Sequence, residues 1–185
     1  MSEQLLEDVL PAAQAGQAWA VRAVYEELSP RVLSYLRARG ASEPEDLASE
    51  VFLTLFPKLA SITGGAAGLR TFAFSIAHAR LVDDLRKRSR REPTVAYDPS
   101  RDDRVTAASS EEEALSSLGT ERVRRLLATL APDQRDVLAL RIIADLTVEQ
   151  VAAAMGRSEG AVKQLQRRGL ISLRRTLEDV DGVTL

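Results

Sequence analysis

Ser158-Glu-Gly-Ala-Val-Lys-Gln-Leu-Gln-Arg-Arg-Gly-Leu-Ile-Ser-Leu-Arg-Arg175 follows directly on a shorter amphipathic segment, Thr147-Val-Glu-Gln-Val-Ala-Ala-Ala-Met-Gly156. The pair reads as helix, tight turn and basic helix, the arrangement by which helix-turn-helix proteins place a helix in the major groove of DNA. Thr147 with Gln150 three positions on is a capping-box pattern, which gives partners to two orphan N–H groups at a helix start. Val148, Val151, Ala152 and Met155 then fall at i, i+3, i+4 and i+7, one stripe to be buried. Gly156 suits the left-handed position that ends a helix, and Ser158 suits the cap of the next. Only Gly156 to Ser158 separates the two helices, so their axes must cross sharply. On the second helix Val162, Leu165, Leu173 and Leu177 are placed to pack inward, which leaves Lys163, Gln164, Arg167 and Arg168 on another face.

That outward set suits nucleic acid chemically. Arginine and glutamine make paired hydrogen bonds to guanine and adenine edges, and lysine and arginine neutralise phosphates. Between Ser158 and Arg175 the only acid is Glu159, against five bases. The plain alternative is the solvated face of an ordinary helical bundle. The caps and the turn spacing favour DNA.

The 185 residues suffice for one or two small domains with real cores. With 45% hydrophobic and 28% charged residues and no run near the roughly 20 apolar residues of a membrane span, a soluble protein without membrane insertion is expected. The N-terminus, Met-Ser-Glu-Gln-Leu-Leu-Glu-Asp, lacks the basic start of a secretion signal. No cysteine is present, which excludes disulfides and thiolate metal sites and fits a cytoplasmic protein. Net charge is only −2, so the chain is no general nucleic-acid coat. Its charge is patterned instead: Arg80 to Arg91 is strongly basic, Glu92 to Thr120 is acidic, and the stretch to Phe56 is acidic again. Two basic patches on either side of an acidic tether suggest two DNA contacts made by one chain.

From about Gln14 to Arg91 the chain reads as helical. Val21, Val24, Tyr25 and Leu28 form an apolar stripe that breaks at Pro30 and resumes with Val32, Leu33 and Leu36, and Gly40 closes that helix. Ser42 and Glu45 repeat the capping-box pattern ahead of Leu47, Val51, Phe52, Leu55 and Phe56. Ser61 to Gly68 reads as a flexible break, and a last helix from about Leu69 to Arg88 offers Phe72, Ile76, Leu81 and Leu85 as core. Residues 93–119 have few large apolar side chains and no sustained period, and read as an extended or disordered linker. Helices resume with Val123, Leu126, Leu127 and Leu130, then Pro132 at a helix start and Val137, Leu138, Ile142 and Ile143. No strand-period alternation appears. The expected fold class is all-α: two small helical domains, 1–92 and 120–185, joined by a flexible acidic linker.

The residues now carry a resemblance. Leu130-Ala-Pro-Asp-Gln-Arg-Asp-Val-Leu-Ala-Leu-Arg141, Leu146-Thr-Val-Glu-Gln-Val-Ala and Gly160-Ala-Val-Lys163 resemble region 4 of bacterial sigma factors. Glu45-Asp-Leu-Ala-Ser-Glu-Val-Phe-Leu53 and Phe74-Ser-Ile-Ala-His-Ala-Arg-Leu-Val-Asp-Asp-Leu-Arg86 resemble region 2. Two such regions with a short linker look like the extracytoplasmic-function (ECF) group of the sigma-70 family. The resemblance implies that 1–92 docks on the clamp of core RNA polymerase and opens the −10 promoter element, while 120–185 meets the polymerase flap and reads −35 DNA. It implies a polymerase-docking face of Asp46, Ser49, Glu50 and Phe52. It implies −10 contacts from Arg80, Arg86, Lys87, Arg88, Arg90 and Arg91, with Phe72, Phe74 and the Gly64-Gly65 loop near an extruded base or, for the two rings, simply in the core. It implies −35 contacts from Ser158, Glu159, Lys163, Gln164, Arg167 and Arg168. An anti-sigma factor that covers the polymerase-binding faces is a further implied partner.

Three positions depart from the usual family pattern: Phe72 stands where tryptophan is common, Ala79 where asparagine is, and Ser49 where glutamine is. A LuxR-type helix-turn-helix regulator is the rival reading; it accounts for 120–175 but leaves Glu45 to Phe56 and the basic helix at Arg86 unexplained. An enzyme is not indicated. One histidine, His78, no cysteine, no Gly-rich phosphate loop and no paired metal-ligand spacing leave no catalytic, metal or cofactor site to name.

Overall fold

In the computed structural model, which describes residues 2–91 and 121–181, every described element is helical. The expected linker lies outside the described residues. Helix α1 (Ser2–Gln14) buries Leu6, Val9, Leu10 and Ala13, an i, i+3, i+4, i+7 stripe that extends the helical region upstream of where the sequence reading began it. Helix α2 (Ala18–Ala38) runs straight through Pro30 instead of breaking there. Proline in a helix interior costs about 3 kcal/mol. Here it lies on the exposed face, while Val24, Leu28, Val32, Tyr35 and Leu36 are buried on both sides of it. At about 1.5–3 kcal/mol for each fully buried large side chain, that stripe outweighs one lost hydrogen bond. Gly40, at φ 76°, then turns the chain, and Ala41 N–H reaches back to the Leu36 carbonyl at 3.0 Å.

Helix α3 (Pro44–Leu55) starts on proline and buries Leu47, Ala48, Val51, Phe52 and Leu55. The capping box expected of Ser42 and Glu45 does not form. Ser42 gives its backbone N–H and its hydroxyl to Asp84, at 3.0 and 2.6 Å, and Glu45 pairs with Arg37 at 2.5 Å. A 3-10 segment (Phe56–Ser61) and a short loop lead to α4 (Gly65–Arg91), which begins earlier than expected because the Glu7 carboxylate caps it from α1, accepting Ala66 N–H at 2.8 Å. Ala66, Leu69, Ala73, Phe74, Ala77 and Leu81 face the core, so α1 to α4 enclose one apolar interior.

The second group comprises α5 (121–128), α6 (Pro132–Ile142), α7 (Val148–Met155) and α8 (Glu159–Asp181). The Thr147–Gln150 capping box is present in both directions, and Gly156 adopts φ 63°. The Ser158 hydroxyl accepts Ala161 N–H at 3.2 Å. Val151, Ala152 and Val162 are buried, with Leu165 and Leu173 packed against them. Leu177, expected to pack inward, is 41% exposed, and Val123 and Ile142 of the apolar runs are 39% and 62% exposed. Gly169 lets α8 lie close on α6: a Cβ there would stand 2.8 Å from the Leu138 side chain. The two groups touch. Helix α7 packs along α4, and α6 meets the end of α2.

Candidate nucleic-acid interface

Gly156, Arg157 and Ser158 set α8 across α7 as the sequence demanded, and the face that α8 turns to water is basic. Lys163, Gln164, Arg167 and Arg168 are all exposed. Gln164, Arg167 and Arg168 have no hydrogen bond or ion pair with any described residue, so their donors are available. Lys163 rests against Glu159 at 3.4 Å, an exposed i,i+4 pair of the kind worth under about 1 kcal/mol and easily exchanged for a phosphate. Ser158 accepts with its oxygen but keeps its hydroxyl proton free to donate. Gln166 differs from its neighbours. Its Oε1 is enclosed without a partner, so it belongs to the floor between α7 and α8.

At the end of α4, Arg86, Lys87 and Arg90 are exposed along one stretch of helix. The Arg91 side chain lies outside what is described. Arg88 is half-buried and donates to the Gly40 carbonyl at 2.7 Å, so it ties α4 to the end of α2. Arg80 is likewise engaged: it approaches Glu50 at 3.7 Å and Thr54 at 3.4 Å on α3. Arg80 and Glu50 had been assigned to different surfaces, and the fold brings them together. Asp84 of the same helix holds Ser42. Phe74 is core, edge-on to Tyr35 with ring centres 5.8 Å apart. Phe72 is only partly buried, with the Lys58 ammonium 5.7 Å above its ring.

A third surface lies on α3. Asp46, Ser49 and Glu50 are exposed, although Ser49 donates its hydroxyl to the Glu45 carbonyl at 3.0 Å. Phe52 is not on that surface. It is 3% exposed, stacked edge-on under Tyr25 with ring centres 4.8 Å apart and beside Phe56 at 5.6 Å. The exposed apolar side chain of α3 is its neighbour Leu53, at 74%, flanked by the outward faces of Glu50 and Asp46. Sequence reasoning passed over Leu53, although its signal was present: it falls off the Leu47, Val51, Phe52, Leu55 stripe.

Electrostatics concentrate where the two groups of helices meet. Arg39, at the end of α2, pairs with Asp136 of α6 through Nε at 2.8 Å and through Nη2. Their side chains are 3% and 10% exposed. Tyr35 and His78 share a hydrogen bond of 3.1 Å beside this pair. Burial raises the Tyr35 phenol pKa well above its usual value. Burial also lowers His78, and the nearby Asp136 and Asp133 oppose that shift while Arg39 and Arg157 reinforce it. No group of His, Asp and Glu side chains among the described residues is placed to hold a metal, and no described helix is long and apolar enough to cross a membrane.

Comparison with known proteins gives the family. Residues 24–91 match the family described as Sigma-70 region 2, and residues 126–175 match Sigma-70, region 4. The chain is 32% identical over 174 residues to the ECF RNA polymerase sigma factor BldN of Streptomyces coelicolor, covering 93% of this chain and 66% of that one. It is 31% identical over 180 residues to the ECF RNA polymerase sigma factor SigD of Mycobacterium tuberculosis, covering 94% of this chain and 84% of that one. The fold is similar to that of the sigma factor RpoE in its complex with the anti-sigma factor NepR from Bartonella quintana, with TM-score 0.62, 20% identity, and 85% and 96% of the two chains covered.

Proposed function

This chain belongs to the ECF group of the sigma-70 family of RNA polymerase sigma factors, and from that premise we propose how its surfaces divide the work. Helix α8 reads −35 promoter DNA. Gln164, Arg167 and Arg168 supply edge or phosphate contacts, and Lys163, with Ser158 and Glu159 at the helix start, contacts the flanking backbone. Arg86, Lys87 and Arg90, with Arg91 beyond them, hold the phosphates of −10 DNA. Arg80 and Arg88 keep the helix that carries them in place. Domain bounds of 1–92 and 120–185 with an intervening tether fit the residues matched by the two regions.

Core polymerase docks on α3. Asp46, Glu50 and Ser49 orient a basic partner surface, and Leu53 supplies the apolar anchor that a stable contact needs. The bond-making chemistry of transcription then belongs to the polymerase, and the chain works where polymerase does, in the cytoplasm. An anti-sigma factor is a fitting further partner, as the complex of the Bartonella sigma factor illustrates. The observation that carries this reading is the coincidence of the region 4 match with α8, which presents unpaired arginine and glutamine side chains to water. A free-standing LuxR-type regulator is not favoured, because it has no use for residues 24–91.

The test is co-elution of the purified chain with bacterial core RNA polymerase on gel filtration, with a primary sigma factor as competitor. Stoichiometric binding that the competitor removes is expected. A folded chain that passes through the column apart from polymerase would refute the reading.

A further inference from the structure

Arg39 and Asp136 are 97 positions apart in sequence, yet they form the most deeply buried ion pair among the described residues. Around them stand Tyr35 and His78 from the N-terminal helices and the Asp133–Arg157 pair, 2.7 Å, from the C-terminal helices. Farther along the seam Gln150 of α7 donates to the Ala67 carbonyl of α4 at 3.3 Å, and Arg31 reaches Asp145 at 3.7 Å. The Arg39–Asp136, Gln150–Ala67 and Arg31–Asp145 contacts each join one half of the chain to the other. From them the geometry points to an intramolecular docking surface: the corner formed by Tyr35, Arg39 and His78 receives the Asp136 edge of α6 and holds the protein in a closed form that cannot touch both promoter elements at once.

The second clause rests on the promoter reading and follows from lengths. The −35 and −10 elements lie about 25 base pairs apart by their positions, about 85 Å along B-form DNA at roughly 3.4 Å per pair. Packed helices lie about 8–10 Å apart. Helix α7 packs on α4, and only three residues separate α8 from the end of α7, whose eight residues span about 12 Å. The start of the reading helix is therefore held within a few tens of ångströms of α4. That falls well short of the promoter spacing. The chain between residues 91 and 121, at about 3.3 Å per residue, is long enough to reach so far once the halves part. Closure also sets α7 beside Ala67, just past the Gly64-Gly65 loop assigned to −10 DNA.

The Arg39–Asp136 pair makes this docking specific rather than merely sticky. Two buried opposite charges gain little over a pair of well-packed apolar residues, but removing one of them leaves the other buried and uncompensated. Arg39 already has one enclosed guanidinium nitrogen, Nη1, without a partner, so it has no alternative acceptor nearby. The pair therefore accepts one register and rejects the others.

The chain has no cysteine, so Ser34→Cys and Ala153→Cys, both at exposed positions in opposite halves, allow a donor and an acceptor dye to be attached to the full chain. High energy transfer is expected in this parent. Asp136→Asn and Arg39→Gln should each lower transfer, shifting the closed-to-open ratio by about a hundredfold or more. The double variant Arg39→Met with Asp136→Leu should restore high transfer, since apolar groups of similar size can replace a buried pair. Low transfer in the parent, or undiminished transfer in a single variant of unchanged helicity, overturns the docking surface. Should a single variant lose helicity, the double variant decides: high transfer upholds the surface and low transfer overturns it. None of these readings needs polymerase, so a chain that closes but fails to co-elute with polymerase would sink the promoter assignment and leave the docking surface standing.

Discussion

Phe52 and Leu53 are neighbours in sequence and about 100° apart on α3, and that turn separates a core residue from an exposed one. Phe52 sits between the Tyr25 and Phe56 rings, so truncating it leaves a cavity that the surrounding helices cannot fill. Phe52→Ala should cost about 3–5 kcal/mol of stability, measured by thermal or denaturant unfolding. Leu53 touches water over most of its surface, so Leu53→Ala should leave the unfolding midpoint nearly unchanged. Polymerase affinity should instead fall by at least about 1 kcal/mol, roughly fivefold or more, in a competition assay. Equal affinity in a folded Leu53→Ala chain would remove that residue from the docking face. The apolar period of α3 already placed Phe52 inward. The sequence-level error was to give one residue two faces, since the stripe of Leu47, Val51, Phe52 and Leu55 left only Leu53 pointing out.

At the level of elements, the helix-turn-helix was legible because its signals are local and mutually consistent. Thr147 with Gln150, Gly156 and Ser158 each satisfy groups within a few residues of themselves, and all of these contacts form. The readings that failed were those in which a distant residue competed. Ser42 looked like a cap but was claimed by Asp84, and the start of α4 was fixed by Glu7 on another helix. Pro30 looked like a break but was overruled by burial on both sides of it. Two predictions belong here. Gly68 packs against the Thr63 carbonyl so closely that a Cβ would stand 1.9 Å from backbone oxygen. Gly68→Ala should therefore destabilise the N-terminal helices by about 1–3 kcal/mol or more, read as a lowered unfolding midpoint, because backbone cannot swing aside as a side chain does. On α8, Arg167→Ala and Arg168→Ala should leave that midpoint alone and weaken −35 DNA binding. A base-edge contact should cost about 1–3 kcal/mol and relax specificity at one position, whereas a phosphate contact should weaken all sequences alike and reduce the salt dependence. Unchanged affinity in both would take these residues off the DNA.

For the molecule as a whole, closure was invisible in the sequence because nothing local links Arg39 to Asp136; only the packed structure brings together charges 97 positions apart. It also gives the chain's single histidine a consequence. His78 is half-buried in the seam, bonded to Tyr35, with Asp133, Asp136, Arg39 and Arg157 facing it. Burial lowers its pKa below the ordinary 6.5, so the closed form holds neutral imidazole and disfavours the proton. Parting the halves removes the share of that burial that the C-terminal helices supply. The open form then binds more protons than the closed form wherever pH lies near or below 6.5, and closure strengthens as pH rises. This contribution of His78 is fully present above about pH 6.5 and is lost as pH falls toward the lowered value of the closed form. Energy transfer between dyes at positions 34 and 153 should accordingly decline as pH is taken from about 7.5 to 5.5. The phenol of Tyr35, raised by burial, stays neutral over that span and contributes nothing to the change. His78→Gln keeps a neutral hydrogen-bonding side chain in the seam and should flatten the profile, which separates the imidazole from the neighbouring carboxylates. A profile that keeps its full slope in His78→Gln would assign the proton to another group and leave the histidine a bystander in the seam.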